Sequence, residues 1–365
     1  MYLWHFPVFA FARLSQDSPD NQQKLIWIAI IFALSAITYI TIERPFRRRD
    51  RISLKVFGST AITALVGLVA LGITGIARSG YPERLPPILK NIETDTERNR
   101  VCKKHTLICE YGKDHQQHIV LLGDSHLVRL EHQLLNYTDE SDIRFTIMNE
   151  LGCMYLPGMV RVNRTTRLIN DKCTSRVQET RRQHLLSLPP ATIIIGGRLP
   201  LLLSEKRFDN REGGKESEIE GEFGEIMLPH DKWLTTRAGR NLAIRESLTA
   251  AVLELAEHGH RIVLVYPVPE VGWNVPARIK RQLDSNFDRQ LRTLEEQPVT
   301  TSYQVYMNRV SESFALLDSI QHPGIERVYP HKLFCDASIE GRCITHDLNN
   351  AFYRDDDHLS EAGVT

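Results

Sequence analysis

HIVLLGDSHLVRLEHQLLNY, running from His118 to Tyr137, decides the fold. Ile119 to Leu122 form an apolar run cut off by Gly123-Asp124, the pattern of a strand buried on both faces. Past the turn, Leu127, Leu130, Leu134 and Leu135 fall on one face of a helix. Working outward, IRFTIM (143–148), ATIIIGG (191–197) and RIVLVYPVP (261–269) repeat the short apolar pattern, the last stopped by prolines. Asn241 to Glu257 reads as a helix with Leu242, Ile244, Leu248, Val252 and Leu255 along its apolar stripe and Gly259 past its end. Strands alternating with helices predict an α/β domain of three layers over 118–365, its mainly parallel sheet covered on both faces. Residues 204–240, charged and glycine-containing, are expected to be a surface insertion.

In such a sheet, ligands sit beyond the carboxyl ends of the strands. Gly123-Asp124-Ser125-His126 falls there, at the expected start of a helix whose N–H groups can stabilise a developing oxyanion. A serine hydroxyl is a weak nucleophile until a base takes its proton. YRDDDHLSEAG near the C-terminus supplies the candidate base, His358. Asp355, three residues earlier, can fold back to accept the ring Nδ1–H, which leaves Nε2 free for the serine proton. Ser125, Asp355 and His358 in that order make an esterase-type triad. Each half also has a plainer reading, Ser125 as a helix N-cap and Asp355–His358 as a solvated acidic loop. His126 is expected to be structural or to line the cleft, and His5 is a candidate for a membrane cavity. No metal is called for.

The first 77 residues are of another kind. Leu25–Ile42 and Val56–Ala77 are uncharged apolar runs of the length that crosses a bilayer. Between them, ERPFRRRDRISLK carries Arg44, Arg47, Arg48, Arg49, Arg51 and Lys55. A loop this basic stays in the cytoplasm, which puts everything after Ala77 outside. Residues 78–117, opening with the proline-rich RSGYPERLPPILKN, read as a connector. All six cysteines follow the second span, as suits disulfides in an oxidising compartment. Many connectivities are open; the local pairs Cys102–Cys109, Cys153–Cys173 and Cys335–Cys343 are the economical choice. Zinc would call for CxxC or paired His–Cys spacing, which is absent. The chain carries 45 basic and 45 acidic residues, so nothing suggests a nucleic-acid partner.

GDSH after the strand and DxxHLS at the end resemble the first and last blocks of the SGNH (GDSL-like) hydrolases. Tyr2–Pro7 (YLWHFP) and Glu43–Arg47 (ERPFR) resemble the closing helices of the acyltransferase-3 family. Together they resemble bacterial O-acetyltransferases that modify surface polysaccharides such as O-antigen or peptidoglycan. The resemblance implies Ser125 as nucleophile, His358 as base and Asp355 as its orienting acid, with Gly152 in ELGCMYLPG as an oxyanion donor beside Ser125. The family's third block usually holds an asparagine; Gly196-Gly197-Arg198-Leu199 stands here instead. Either backbone donors suffice, or Arg198 lends charge. Further implications are an inner-membrane protein with a periplasmic C-terminal domain and O-acyl (O-acetyl) transfer to a polysaccharide. Acyl-CoA would be the ultimate donor, with no bound cofactor. Because the family's membrane domain has many more spans than two, the chain is expected to be its C-terminal part, with the upstream half as a partner. A membrane-anchored carbohydrate esterase and a non-catalytic polysaccharide-binding module are the rival readings.

Overall fold

Short valine-, isoleucine- and leucine-rich runs lie side by side in the computed structural model of the chain, which describes residues 2–15, 21–47, 53–78, 80, 81, 83, 85–94, 102, 106–112, 117–140, 143–216, 223–283 and 293–365. Contacts divide the chain into two units, Met1–Leu85 and Pro86–Thr365.

In the second unit, β1 (Cys109–Tyr111), β2 (Gln117–Leu122) and β3 (Ile143–Ile147) come first in the chain. β4 (Met159–Asn163), β5 (Thr192–Ile195), β6 (Glu225–Pro229), β7 (Arg261–Val265), β8 (Thr300–Ser302), β9 (Ile325–Val328) and β10 (Arg342–Ile344) follow. The main sheet runs β1-β3-β2-β5-β7-β9, with only β1 antiparallel. This is the α/β architecture expected. Alternation along β2 explains its two covered faces. Val120 and Leu122 enter the larger core with Ile193, Ile195, Leu248 and Val252, while Leu121 joins Leu127, Phe145 and Ile147 on the other side. Each such aliphatic side chain, removed from water, contributes about 1.5–3 kcal/mol before entropy is counted.

Register brings the strand ends level. Leu122 pairs with Ile195, and Ile195 with Leu264. Gly123 and Gly196 therefore emerge side by side, and a Cβ on Gly123 would lie 2.6 Å from the Gly196 carbonyl oxygen. Only glycine permits that approach.

Four expectations change. Residues 78–117 are more than a connector: they hold the helix Pro87–Thr94 and β1, which pairs with β3 at the sheet edge. The regular helix after Ser125 begins only at Leu130, with tight turns between, because Asp124 and Ser125 carbonyls accept from Leu127 and Val128 N–H. The 204–240 segment contributes β6, paired antiparallel with β4, and buries Glu205 and Asn210, so it is not a surface insertion. The long helix starts at Arg237, capped by Thr236, and its buried face turns Leu242 outward at 55 % exposure. That stripe runs instead through Ile244, Leu248, Ala251, Val252 and Leu255.

Disulfides join Cys102 to Cys109, Cys153 to Cys173 and Cys335 to Cys343.

In the first unit, helices span Tyr2–Ser15, Asn21–Thr38 and Leu54–Ala77. The second continues through a π turn, Tyr39–Glu43, into Arg44–Arg47. Asn21–Phe46 and Leu54–Ala77 are long and apolar enough to cross a membrane. Arg48, Arg49 and Arg51 of the basic loop lie outside the described residues.

Candidate active site

Ser125 stands in the turn that leaves β2, held from below by Asp124. The buried Asp124 carboxylate accepts from His126 N–H through Oδ1 (2.9 Å) and from Arg198 N–H through Oδ2 (2.8 Å). One side chain thus ties the β2 turn to the β5 turn. Gly197 is part of the same fit, since a Cβ there would sit 2.8 Å from Asp124 Oδ2.

Ser125 Oγ lies 2.9 Å from His358 Nε2. His358 comes from a loop closed on itself, where Arg354 N–H donates to the His358 carbonyl (3.0 Å). Val271 and Gly272 N–H donate to the Asp356 carbonyl (3.0 and 3.1 Å), pinning the loop to the segment after β7. Asp355 folds back as its spacing implied. Its oxygens lie 3.1 and 3.0 Å from His358 Nδ1, and Oδ1 also accepts from Asp357 N–H (3.1 Å) and His358 N–H (2.7 Å).

A second carboxylate reaches the same nitrogen. Asp357 Oδ1 lies 2.7 Å from His358 Nδ1, and Asp357 Oδ2 lies 2.7 Å from Arg198 Nη1 and 3.4 Å from His126 Nε2. Sequence reading missed Asp357 because side chains of adjacent residues ordinarily diverge. The DDDH run was the only signal. The bridge between Tyr353 and Leu359 closes this loop. The ring of His126 packs against that of His358, centroids 4.7 Å apart.

Burial would depress the His358 imidazole, but hydrogen bonds to Asp355 and Asp357, and the charge of both, outweigh it and hold the ring up at about 10. Burial would raise Asp357; His126, His358 and Arg198 hold it well below the usual carboxylate range. Asp356, lacking such partners, is pushed up to about 7 by burial and by the charges of Asp357, Asp355 and Glu216.

The Arg198 side chain is taken up by carboxylates. Its Nε donates to Glu270 (2.7 Å), and Nη1 and Nη2 donate to Glu216 (3.0 and 2.7 Å), with Asp357 also 2.7 Å from Nη1. Every nitrogen of the guanidinium is thus matched to a carboxylate. Glu270 is buried, and although burial opposes ionisation, Arg309 and Arg198 bring it down to about 2.

Backbone groups also border the Ser125 turn. Gly152 takes φ +68°, and its turn meets the nucleophile turn where Glu150 N–H donates to the Gly123 carbonyl (3.1 Å). Arg161 Nη1 donates to the Gly152 carbonyl. Among the described residues, neither Ser125 N–H nor Gly152 N–H donates within the protein. Directly below, the Cys153–Cys173 disulfide is fully buried, with Arg181 Nη1 donating to the Cys153 carbonyl (3.1 Å) and Gln178 Nε2 to the Met154 carbonyl (2.9 Å).

Side chains near enough to share one cation are His126, Asp357 and His358, and the run Asp355–Asp357. Arg198 already supplies the countercharge for Asp357. A hydroxyl, an imidazole and carboxylates in line, beside unspent backbone N–H groups, can form and break an acyl ester.

A family model described as the SGNH domain (fused to AT3 domains) matches residues 93–365; the match does not reach the apolar helices. No curated protein and no solved structure matches the chain.

Proposed function

The chain belongs to the SGNH domain family that occurs fused to AT3 domains, and from that premise we propose that it transfers an O-acyl (O-acetyl) group to an extracytoplasmic polysaccharide. The family points to acyl-ester chemistry. Acceptor, direction and compartment belong to this proposal. Ser125 Oγ attacks the acyl carbonyl carbon as its proton passes to His358 Nε2, and the oxyanion is met by the N–H groups of Ser125 and Gly152. Collapse expels the donor oxygen, which takes the proton from His358, and leaves acyl-Ser125. A sugar hydroxyl then attacks the acyl carbon, giving its proton to His358 Nε2; the acyl–Oγ bond breaks and the proton passes on to Ser125 Oγ, which frees the acylated sugar and restores the site. The acyl group would come ultimately from acyl-CoA through an AT3-type membrane domain. Two helices of membrane-crossing length support the anchoring, and the basic segment between them supports an exported C-terminal domain.

The 2.9 Å contact between Ser125 Oγ and His358 Nε2 carries the reading. The test incubates the full chain in detergent with an acetyl ester, with and without polysaccharide, alongside fluorophosphonate labelling of Ser125. Acetylated sugar is the expected product. Hydrolysis indifferent to added sugar would make the protein an esterase. An unlabelled Ser125 with no turnover would leave it a binding module.

A further inference from the structure

We propose that Arg181 is a positioning residue of the oxyanion turn: its buried guanidinium staples the two ends of the segment that carries the Gly152 N–H. Only the kinetic readout of this role rests on the acyl-serine reading.

Residues 150–153 form a turn, closed where Cys153 N–H donates to the Glu150 carbonyl (2.9 Å), and Gly152 sits in it at φ +68°. Before the turn the chain is fixed to β2 and its end. Met148 N–H donates to the Leu121 carbonyl (2.8 Å) and Glu150 N–H to that of Gly123 (3.1 Å). Beyond it, residues 153–156 belong to no strand, so side chains must hold them. An oxyanion donor works only when it is held close to its productive geometry.

Arg181 and Gln178, from the helix Ser175–Ser187, do this. Arg181 Nη1 donates to the Cys153 carbonyl (3.1 Å) and more loosely to that of Met148 (3.5 Å), so one nitrogen spans the turn. Nη2 donates to the Cys153 carbonyl (3.2 Å), to Cys153 Sγ (3.2 Å) and to Gln178 Oε1 (3.3 Å). Gln178 in turn donates to the Met154 carbonyl (2.9 Å) and accepts from Leu156 N–H (3.1 Å). Arg181 is fully buried, and among the described residues none of its hydrogen bonds goes to a carboxylate. Burial brings it down to about 10, so it keeps its proton at neutral pH. A buried cation without a counterion must be solvated by dipoles. Here the carbonyls at either end of the turn supply them, and charge-assisted bonds are about twice as strong as neutral ones. Arg198, by contrast, is met by Glu216 and Glu270, and Arg161 has Glu225 beside it (2.7 Å). Arg181 draws the turn around itself.

The experiment compares, in the full chain, Arg181→Met, which removes every donor, with Arg181→Lys, which keeps the charge and a donor. Arg181→Met is expected to lower kcat for an acetyl ester by about 10²- to 10³-fold, the size of one oxyanion donor. KM should change little, and Arg181→Lys should recover part of the loss. Because Arg181 acts through Gly152, Arg181→Met joined to Gly152→Ala should lose little more than the larger single loss. Backbone hydrogen exchange with mass spectrometry needs no activity. In Arg181→Met the 149–156 peptide should exchange faster while β2 and β5 keep their protection. An unchanged kcat in folded Arg181→Met, multiplicative losses in the double variant, or exchange that rises equally across the sheet overturns the role. If Arg181→Met does not fold, Arg181→Lys must show the same local exchange and a smaller loss of kcat, and no change in either overturns it. A native chain without ester turnover, whose variant still loosens only at 149–156, overturns the enzymatic reading and leaves this one standing.

Discussion

Ser125 and His358, 233 positions apart in the chain, meet with Oγ and Nε2 at 2.9 Å. Ser125→Ala removes the attacking oxygen and His358→Gln its base. Each is expected to lower ester turnover by at least about 10⁴-fold, and the double variant little further, because the two act as a unit. Steady-state rates of the three variants check this. Additive losses would separate the residues.

The pH dependence follows from the raised His358. Acylation needs the neutral imidazole, so the labelling rate at Ser125 should climb with pH up to about 10. The folded value stands above the ordinary histidine value of about 6.5. Its pairing therefore adds stability that is complete below that pH and lost as pH rises through about 10. Labelling rates and denaturant midpoints from pH 6 to 10.5 measure both; a rate already level by pH 7 would contradict the first.

Gly152→Ala places a methyl group on a residue at φ +68°, 2.3 Å from Arg161 Nη1. An alanine is strained in that left-handed backbone, and the Arg161 guanidinium that donates to the Gly152 carbonyl must move off the added methyl, which loosens the turn that carries the Gly152 N–H. A loss of about 10²- to 10³-fold in kcat is expected, the size of one oxyanion donor, with KM little changed. A rise in KM alone would place Gly152 in substrate binding.

Cys153 and Cys173 lie 20 residues apart and their sulfurs are packed against Gln178 and Arg181. Replacing both with alanine should cost about 3 kcal/mol of stability by chain entropy and reduce activity, because Cys153 adjoins Gly152. Replacing Cys335 and Cys343 should affect activity less. Unfolding midpoints and turnover of the two double variants decide it.

The alternation of short apolar runs with an amphipathic helix was legible because each pattern is local. Val120, Leu121 and Leu122 had to be buried whichever way they faced, and Ile193 and Ile262 likewise. Misreadings fell where burial is shared between distant segments. Leu242 fits a helical stripe in sequence, yet the helix rotates to bury Ile244 and Ala251. Glu205 and Glu216 look like surface charge until Arg240 and Arg198 are found beside them.

By itself, the sequence determined the elements: a parallel sheet, a hydroxyl in the turn after β2, an imidazole with an acid three residues before it, and two apolar helices. These depend on periodicity and on neighbours within a turn. Tertiary structure alone decided how the partners are shared. It matched Arg198 to carboxylates, left the Ser125 and Gly152 N–H groups without an acceptor among the described residues, and brought Asp357 near both His358 and His126. Charges in a buried cluster choose partners by distance and desolvation, and neither is written in the order of the chain.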